Sequence, residues 1–303
     1  RSPSRRCPPH RLSGACGFLA ARARECFASG PPFRELDRFI GNPSAKFQEW
    51  VAQPTQGPYY DALTPTPAQY AKLNLPILTI TGSYDDDQPG AMAFYKQHMQ
   101  YGNAAAVANH HLIIGPWDHA GTRTPKDEFG GLKFGPASLV DLPKLHMEWY
   151  AWTMQSGPRP DFLKKRVSYY VMGAEKWRNA DTLEGVTAES RPFYLDSAAG
   201  VANDVFASGN LAAEQASSTP DRYIYDPRDV SLAALQAADI DSMLDQRMIL
   251  AARGKQLVYH SAPFERDTEI SGFFKLSTWI ALDQPDTDFR ARVFEVLADG
   301  TAI

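Results

Sequence analysis

Two short apolar runs, Ile77-Leu-Thr-Ile-Thr81 and Leu112-Ile-Ile114, each lead into a glycine and then into an ionisable group. The first continues through Gly82-Ser-Tyr to Asp85, and the second through Gly115-Pro-Trp-Asp to His119, 34 residues further on. Short, nearly continuous apolar runs read as strands buried on both faces, the pattern of parallel strands packed between helices. Open α/β sheets gather their chemistry at the carboxyl ends of such strands. The pattern therefore predicts an α/β fold with a carboxylate and an imidazole on one edge of its sheet.

A nucleophilic hydroxyl needs a base to take its proton, and the base needs a carboxylate to fix its tautomer and stabilise the imidazolium. His119 is the candidate base and Asp85 its orienter. Where serine, acid and histidine follow one another in that chain order, the serine sits upstream in a Gly-x-Ser-x-Gly turn. No such pentapeptide occurs in the 303 residues, and Gly14-Ala-Cys-Gly17 has neither a preceding strand nor the right spacing. The sequence carries an orienting acid and a base without a nucleophile.

Charge excludes some partners. With 44% hydrophobic and 22% charged residues the composition is that of a soluble globular protein, and a net charge of −4 gives no nucleic-acid surface. No apolar run approaches the length of a membrane span. A small-molecule ester or amide, or a short peptide, is the expected partner, with no cofactor and no metal. Compartment and oligomeric state stay open.

Residues 1–30 differ from the rest: they hold all three cysteines (Cys7, Cys16, Cys26) and six arginines against the single acid Glu25. The cysteines lack a CxxC pair or a neighbouring ligand cluster, which argues against a metal site. An acid-poor, arginine-bearing start without an initiator Met reads as an atypical basic leader, disordered or foreign to the domain behind it.

From Pro31 to about Leu73 the apolar residues Phe33, Leu36, Phe39, Ile40, Phe47 and Trp50 recur at helical spacing, interrupted by Gly41-Asn-Pro43. Pro89-Gly90 opens a helix whose buried face is Met92, Tyr95 and Met99, and a later helix sets Leu142, Leu145, Trp149 and Trp152 on one stripe. After Gly157-Pro158 come short β-rich runs: Val167 to Met172, Phe193 to Leu195, Tyr223 to Tyr225, Leu257 to His260, Phe273 to Leu282 and Phe289 to Leu297. Such spacing predicts a sandwich or jelly roll.

The constellation Gly82-Ser-Tyr-Asp85, Gly115-Pro-Trp-Asp-His119, Tyr170-Val-Met-Gly173 with Trp177, and Pro285-Asp-Thr-Asp-Phe289 resembles the family of cocaine esterase, glutaryl-acylase-like hydrolases and Xaa-Pro dipeptidyl-peptidases. The resemblance implies an α/β-hydrolase domain, here partial with a helical cap remnant, followed by a β jelly-roll of galactose-binding-like shape. With 1–30 set apart as the leader by its composition, the resemblance assigns 31–156 to the C-terminal part of the hydrolase domain with its cap segment and 157–303 to an incomplete jelly roll. On that expectation the sequence is cut at both ends and the serine elbow lies outside it.

The resemblance also implies hydrolysis of ester or amide bonds, acyl or Xaa-Pro dipeptidyl, with Asp85 as acid and His119 as base, and a chain that alone is inactive. Asp85-Asp-Asp-Gln-Pro-Gly90 is similar to the α-amino-acid ester hydrolases, where acids just after the triad Asp bind the substrate's α-ammonium, although Gln88 departs from that pattern. Asp86 and Asp87 are thus substrate-binding candidates. The competing view makes them solvated turn residues. A rival for the whole chain is a catalytically inactive binding or scaffold module that uses the jelly roll.

Other candidates have plainer readings. Trp117 and Tyr84 beside the pair are expected to pack as core. His110 and His111 are adjacent on a strand, so they point to opposite faces and cannot share one ion. Asp286 and Asp288 are expected in a turn between strands.

Overall fold

The structure is a computed structural model describing residues 21–303 except 24, 27, 28, 198, 199, 216–218, 230, 233–242 and 286. The chain divides into two compact units, one of 66–194, 241–246 and 261–303, the other of 195–240, 247–260 and the segment up to Pro65.

The first unit is built on a four-stranded sheet of order β1-β2-β5-β6. Its strands are β1 (Ile77–Tyr84), β2 (His110–Asp118), β5 (Val167–Val171) and β6 (Lys176–Ala180). β1, β2 and β5 are parallel, and β6 returns antiparallel to β5. Between β2 and β5 lie two short antiparallel partners, β3 (Glu128–Phe129) and β4 (Leu132–Lys133). The helix α1 (Gln88–Tyr101) carries Pro89 in its first turn, where a missing N–H costs nothing, and stops at Gly102. A short helix α2 (Ala104–Ala108) follows, its first turn capped by the Asn103 side chain accepting from Ala106 N at 3.0 Å. In α3 (Leu142–Gln155), Asp141 caps by accepting from Lys144 N at 3.0 Å, and Ser156 ends the helix in the left-handed region.

Alternation along β2 sends neighbouring side chains to opposite faces. Leu112 joins Met92, Tyr95, Val167, Ala180 and Leu183 in one apolar cluster, while Ile113 joins Trp117, Leu142, Leu145, Trp149 and Leu163 in another. Both faces are thus covered, as a parallel sheet requires. Of the stripes expected of the two helices, Met92 and Tyr95 on α1 and Leu142, Leu145 and Trp149 on α3 are buried, Met99 and Trp152 are half-buried, and His98 joins the buried face of α1.

Three differences from the sequence reading have physical causes. The strands run past Gly82 and Gly115-Pro116 to Tyr84 and Asp118. Pro116 is tolerated because pairing to β5 stops at Ile114 and pairing to β1 is irregular between Gly82 and Tyr84, so its missing N–H breaks no ladder. Second, Val167–Val171, read as the opening of a β-rich region after 157, hydrogen-bonds to β2 and so joins the same sheet as β1 and β2. A five-residue apolar strand carries no local record of which sheet it joins. Third, Phe273 to Leu282 and Phe289 to Leu297 form no strands apart from one bridge, Val296 to Ala302, and most of their large apolar side chains are exposed. β propensity makes a strand only where an edge and a covering layer are offered.

In the second unit, β7 (Tyr194–Asp196), β8 (Gly209–Ala212) and β9 (Tyr259–His260) form a sheet in that order. Tyr223 to Tyr225 forms no strand. The helical text before residue 66 resolves into short helices, among them Leu36–Phe39, Ala45–Val51 and Pro58–Asp61. The turn at Gly41-Asn-Pro43 is stitched by the buried Asp37 carboxylate, which accepts from Ser44 N at 2.9 Å and Gln48 Nε2 at 3.0 Å. Those bonds, led by that from Ser44, hold its carboxyl below the usual range. Part of the basic leader is described, and it packs. Cys26 is buried, and Arg22 donates to Phe39 O at 3.1 Å with its guanidinium 4.7 Å from the Phe39 ring centroid. Cys7, Cys16, Phe18 and Phe27 lie outside the described residues, as does Asp286.

Candidate functional site

β1 and β2 end side by side, and the turns that follow carry the two ionisable groups. Gly82 is required there: a Cβ on it would stand 1.9 Å from the Trp117 carbonyl oxygen. The same close approach folds Trp117 into the core, where its Nε1 donates to Ser138 O at 3.0 Å. Tyr84 packs against Phe129 and Phe134, each with ring centroids 5.8 Å away. Both aromatics are packing residues, as the sequence reading expected.

Asp85 is 9% exposed and fully engaged. Its Oδ1 accepts from Asp87 N at 3.0 Å and faces His119 Nδ1 at 3.1 Å, and its Oδ2 accepts from the buried Thr81 hydroxyl at 3.3 Å. The His119 side chain is 47% exposed, so one nitrogen is anchored on a nearly buried carboxylate while the ring edge stays reachable. Asp87 Oδ2 also approaches Nδ1, at 3.3 Å, but from a side chain 75% exposed. The buried, doubly supported Asp85 is the stronger partner, because water screens the other. Arg123 was not singled out from sequence, yet its Nη2 lies 3.2 Å from His119 Nε2. The spacing of four residues within a glycine-containing turn was the available signal.

A cavity of about 650 Å³ is lined by Asp85, Asp86, Asp87, His119, Arg123 and His146, with Leu78 and Ile80 among its apolar walls. The structure thus brings all four sequence-derived site residues to one opening. Asp85, Asp86 and His119 offer ligand atoms within 4.8 Å of one another, a spacing a divalent cation could span. Charge favours proton transfer over metal binding here, since Nδ1 is committed to Asp85 and a guanidinium stands on Nε2.

His110 and His111 are both buried on opposite faces of β2. His110 Nδ1 lies 2.8 Å from His98 Nδ1 and its Nε2 2.8 Å from Thr79 Oγ1, whereas His111 packs edge-on against Trp149 and Trp152 with Arg159 Nη2 3.3 Å from its Nε2. Burial depresses both rings, His110 to about 3 and His111 to about 4. Among the described residues no helix is long and apolar enough to cross a membrane.

A carboxylate and an imidazole thus meet on the carboxyl edge of a mixed α/β sheet, and proteins to which this chain is similar carry esterase and peptidase names. Residues 162–302 match the X-Pro dipeptidyl-peptidase C-terminal non-catalytic domain. Cocaine esterase of Rhodococcus sp. (strain MB1 Bresler) is 26% identical over 205 residues, covering 65% of this chain. The chain spans about a third, 35%, of that relative's length. The chain is thus similar to cocaine esterase over the 205 aligned residues and to the C-terminal domain of the X-Pro dipeptidyl-peptidases over 162–302. Among solved structures, an α-amino acid ester hydrolase labelled with selenomethionine matches at 18% identity and a TM-score of 0.46, over 69% of this chain and 34% of that one. An aminopeptidase from the marine sediment archaeon Thaumarchaeota archaeon matches at 18% identity and a TM-score of 0.41, over 60% and 28%.

Proposed function

We propose that this chain supplies the acid and the base of a Ser-Asp-His site that hydrolyses ester or amide bonds of small acyl compounds or short peptides. The observation that carries the reading is the 3.1 Å contact between His119 Nδ1 and Asp85 Oδ1 at the ends of adjacent parallel strands. In this reading His119 Nε2 takes the serine proton during attack and returns it to the leaving group, while Asp85 stabilises the imidazolium. The serine comes from sequence other than these 303 residues, in which no elbow occurs. Asp86 and Asp87 line the same cavity and favour an acyl group bearing an α-ammonium. The parallel strands β1 and β2 are then part of an α/β-hydrolase domain, and the residues from 157 onward belong to a jelly roll, a reading supported by the match of 162–302 to a C-terminal non-catalytic domain.

The test uses a whole protein that contains these residues. It should hydrolyse a p-nitrophenyl ester of an amino acid and lose that activity on His119→Ala, while the 303-residue chain alone stays at background. Turnover that survives His119→Ala would remove the base assignment.

A further inference from the structure

Arginine donates hydrogen bonds and accepts none. Arg123 Nη2 at 3.2 Å from His119 Nε2 therefore requires a lone pair on Nε2, which leaves the proton of the neutral ring on Nδ1. That proton points at Asp85 Oδ1. The other neutral tautomer would set an N–H against the guanidinium and a lone pair against a carboxylate, and the doubly protonated ring would keep the second contact but lose the first. Only one form satisfies both neighbours.

The local backbone builds this contact. Asp118 Oδ1 accepts from Gly121 N at 2.7 Å, and Thr122 Oγ1 donates to His119 O at 2.7 Å. Arg123 N and Thr124 N both donate to Ala120 O, at 3.1 and 3.0 Å. The chain thus coils through one helix-like turn, and positions four apart in such a turn lie on the same side.

We propose that Arg123 is a positioning residue that, with Asp85, selects the Nδ1–H tautomer of His119 and so holds a lone pair ready on Nε2. The proposal rests on reading His119 as the base, since that is the form in which a base can accept a nucleophile's proton. A hydroxyl arriving at Nε2 takes the place of the guanidinium. Arg123 is exposed, so it can swing into water at small cost. Until then the contact keeps the lone pair from turning elsewhere.

Nitrogen-15 spectra of histidine-labelled 303-residue chain at neutral pH read the tautomer directly, with the His119 signals assigned by their loss in His119→Gln. Arg123→Ala should lower the ratio of Nδ1–H to Nε2–H ring by about threefold, the scale of an exposed charged contact. Arg123→Lys, which keeps a cationic donor, should hold the ratio near its starting value. A ratio unchanged in Arg123→Ala overturns the proposal. Asp85→Asn separates the two readings: if it moves the ring and Arg123→Ala does not, the pair stands and the role of Arg123 falls, whereas no response to either removes the pairing itself.

Discussion

Histidines flank β2, with His110 opening it beside His98 of α1 and His119 following its last residue, and the two ends treat the same side chain in opposite ways. At the carboxyl end His119 is half exposed, anchored on a carboxylate and open to a cavity. At the amino end His110 and His98 are fully buried and bonded to each other, with no carboxylate among their hydrogen-bond partners. If His110 donates from Nε2 to Thr79, its Nδ1 must accept from His98, and the atom left without a partner, His98 Nε2, is a lone pair rather than an N–H. The neutral ring is a packing piece there and, in the proposed function, a proton carrier at the other end. Neighbours, not the residue type, decide which.

The sharpest way to break this comparison is to take the carboxylate from the exposed end. In a whole protein with its serine, Asp85→Asn should cost about 10⁴-fold in kcat, the scale seen when a triad acid becomes an amide and the histidine loses its orienter. An effect below tenfold in steady-state kinetics would mean that Asp87, at 3.3 Å, substitutes for it. A backbone change at the same end comes next. Gly82→Ala puts a Cβ on the Trp117 carbonyl, and main chain cannot move aside as a flexible side chain can. A loss of about 3 kcal/mol is expected in denaturant titration. A neutral result would show that the strand ends are not locked together.

The buried end is tested by acid. His98, His110 and His111 all have their folded-state pKa lowered, chiefly by burial. An unfolded histidine titrates near 6.5, so between that value and about 3 for His110 and about 4 for His111 the unfolded chain binds more protons than the folded one, and His98 acts in the same direction. Stability is then complete above about pH 6.5 and drains away as the pH falls. Each such imidazole adds about 1 kcal/mol per pH unit to the slope across that window. His110→Gln should flatten the dependence of unfolding free energy on pH between 5 and 6.5 while lowering stability at pH 7. An unchanged slope would mean that the pair is already protonated or wet.

Much of this frame was legible because periodicity is local. The runs at Ile77 and Leu112 and the stripes of the two long helices carry their burial pattern within a few residues of sequence. The partners Asp85 and His119 were legible for a related reason, since a strand's carboxyl end is marked by where its apolar run stops. Arg123 was not, because its role depends on the path of a six-residue turn that no apolar period records. Nor was the placement of β5, which joins β2 through hydrogen bonds that any extended run could offer. The stretch from Phe273 to Leu297 shows the converse: strong β propensity with few neighbours to realise it. Even the leader, set apart by charge, sends Cys26 and Arg22 into contacts that composition does not disclose.

The smallest expected effect concerns the two acids that follow Asp85. Both are exposed and both line the cavity, so they can attract a substrate's α-ammonium without being committed to a buried partner. Exposure sets the size: a screened ion pair contributes a few tenths to about 1 kcal/mol, well below a desolvated one. Asp87 has a second claim, since its carboxylate shares His119 Nδ1 with Asp85 and so bears on the base as well as on the ligand. Replacing Asp86 and Asp87 together by Asn should therefore lower kcat/KM for an amino acid ester about fivefold, by the usual conversion of free energy to rate. A neutral ester of the same shape should change by less than twofold, and the difference should shrink in high salt as the Debye length falls. Equal losses on both esters would assign the two acids to the base alone, and a loss that ignores salt would make the interaction a buried one, contrary to the exposure of both side chains.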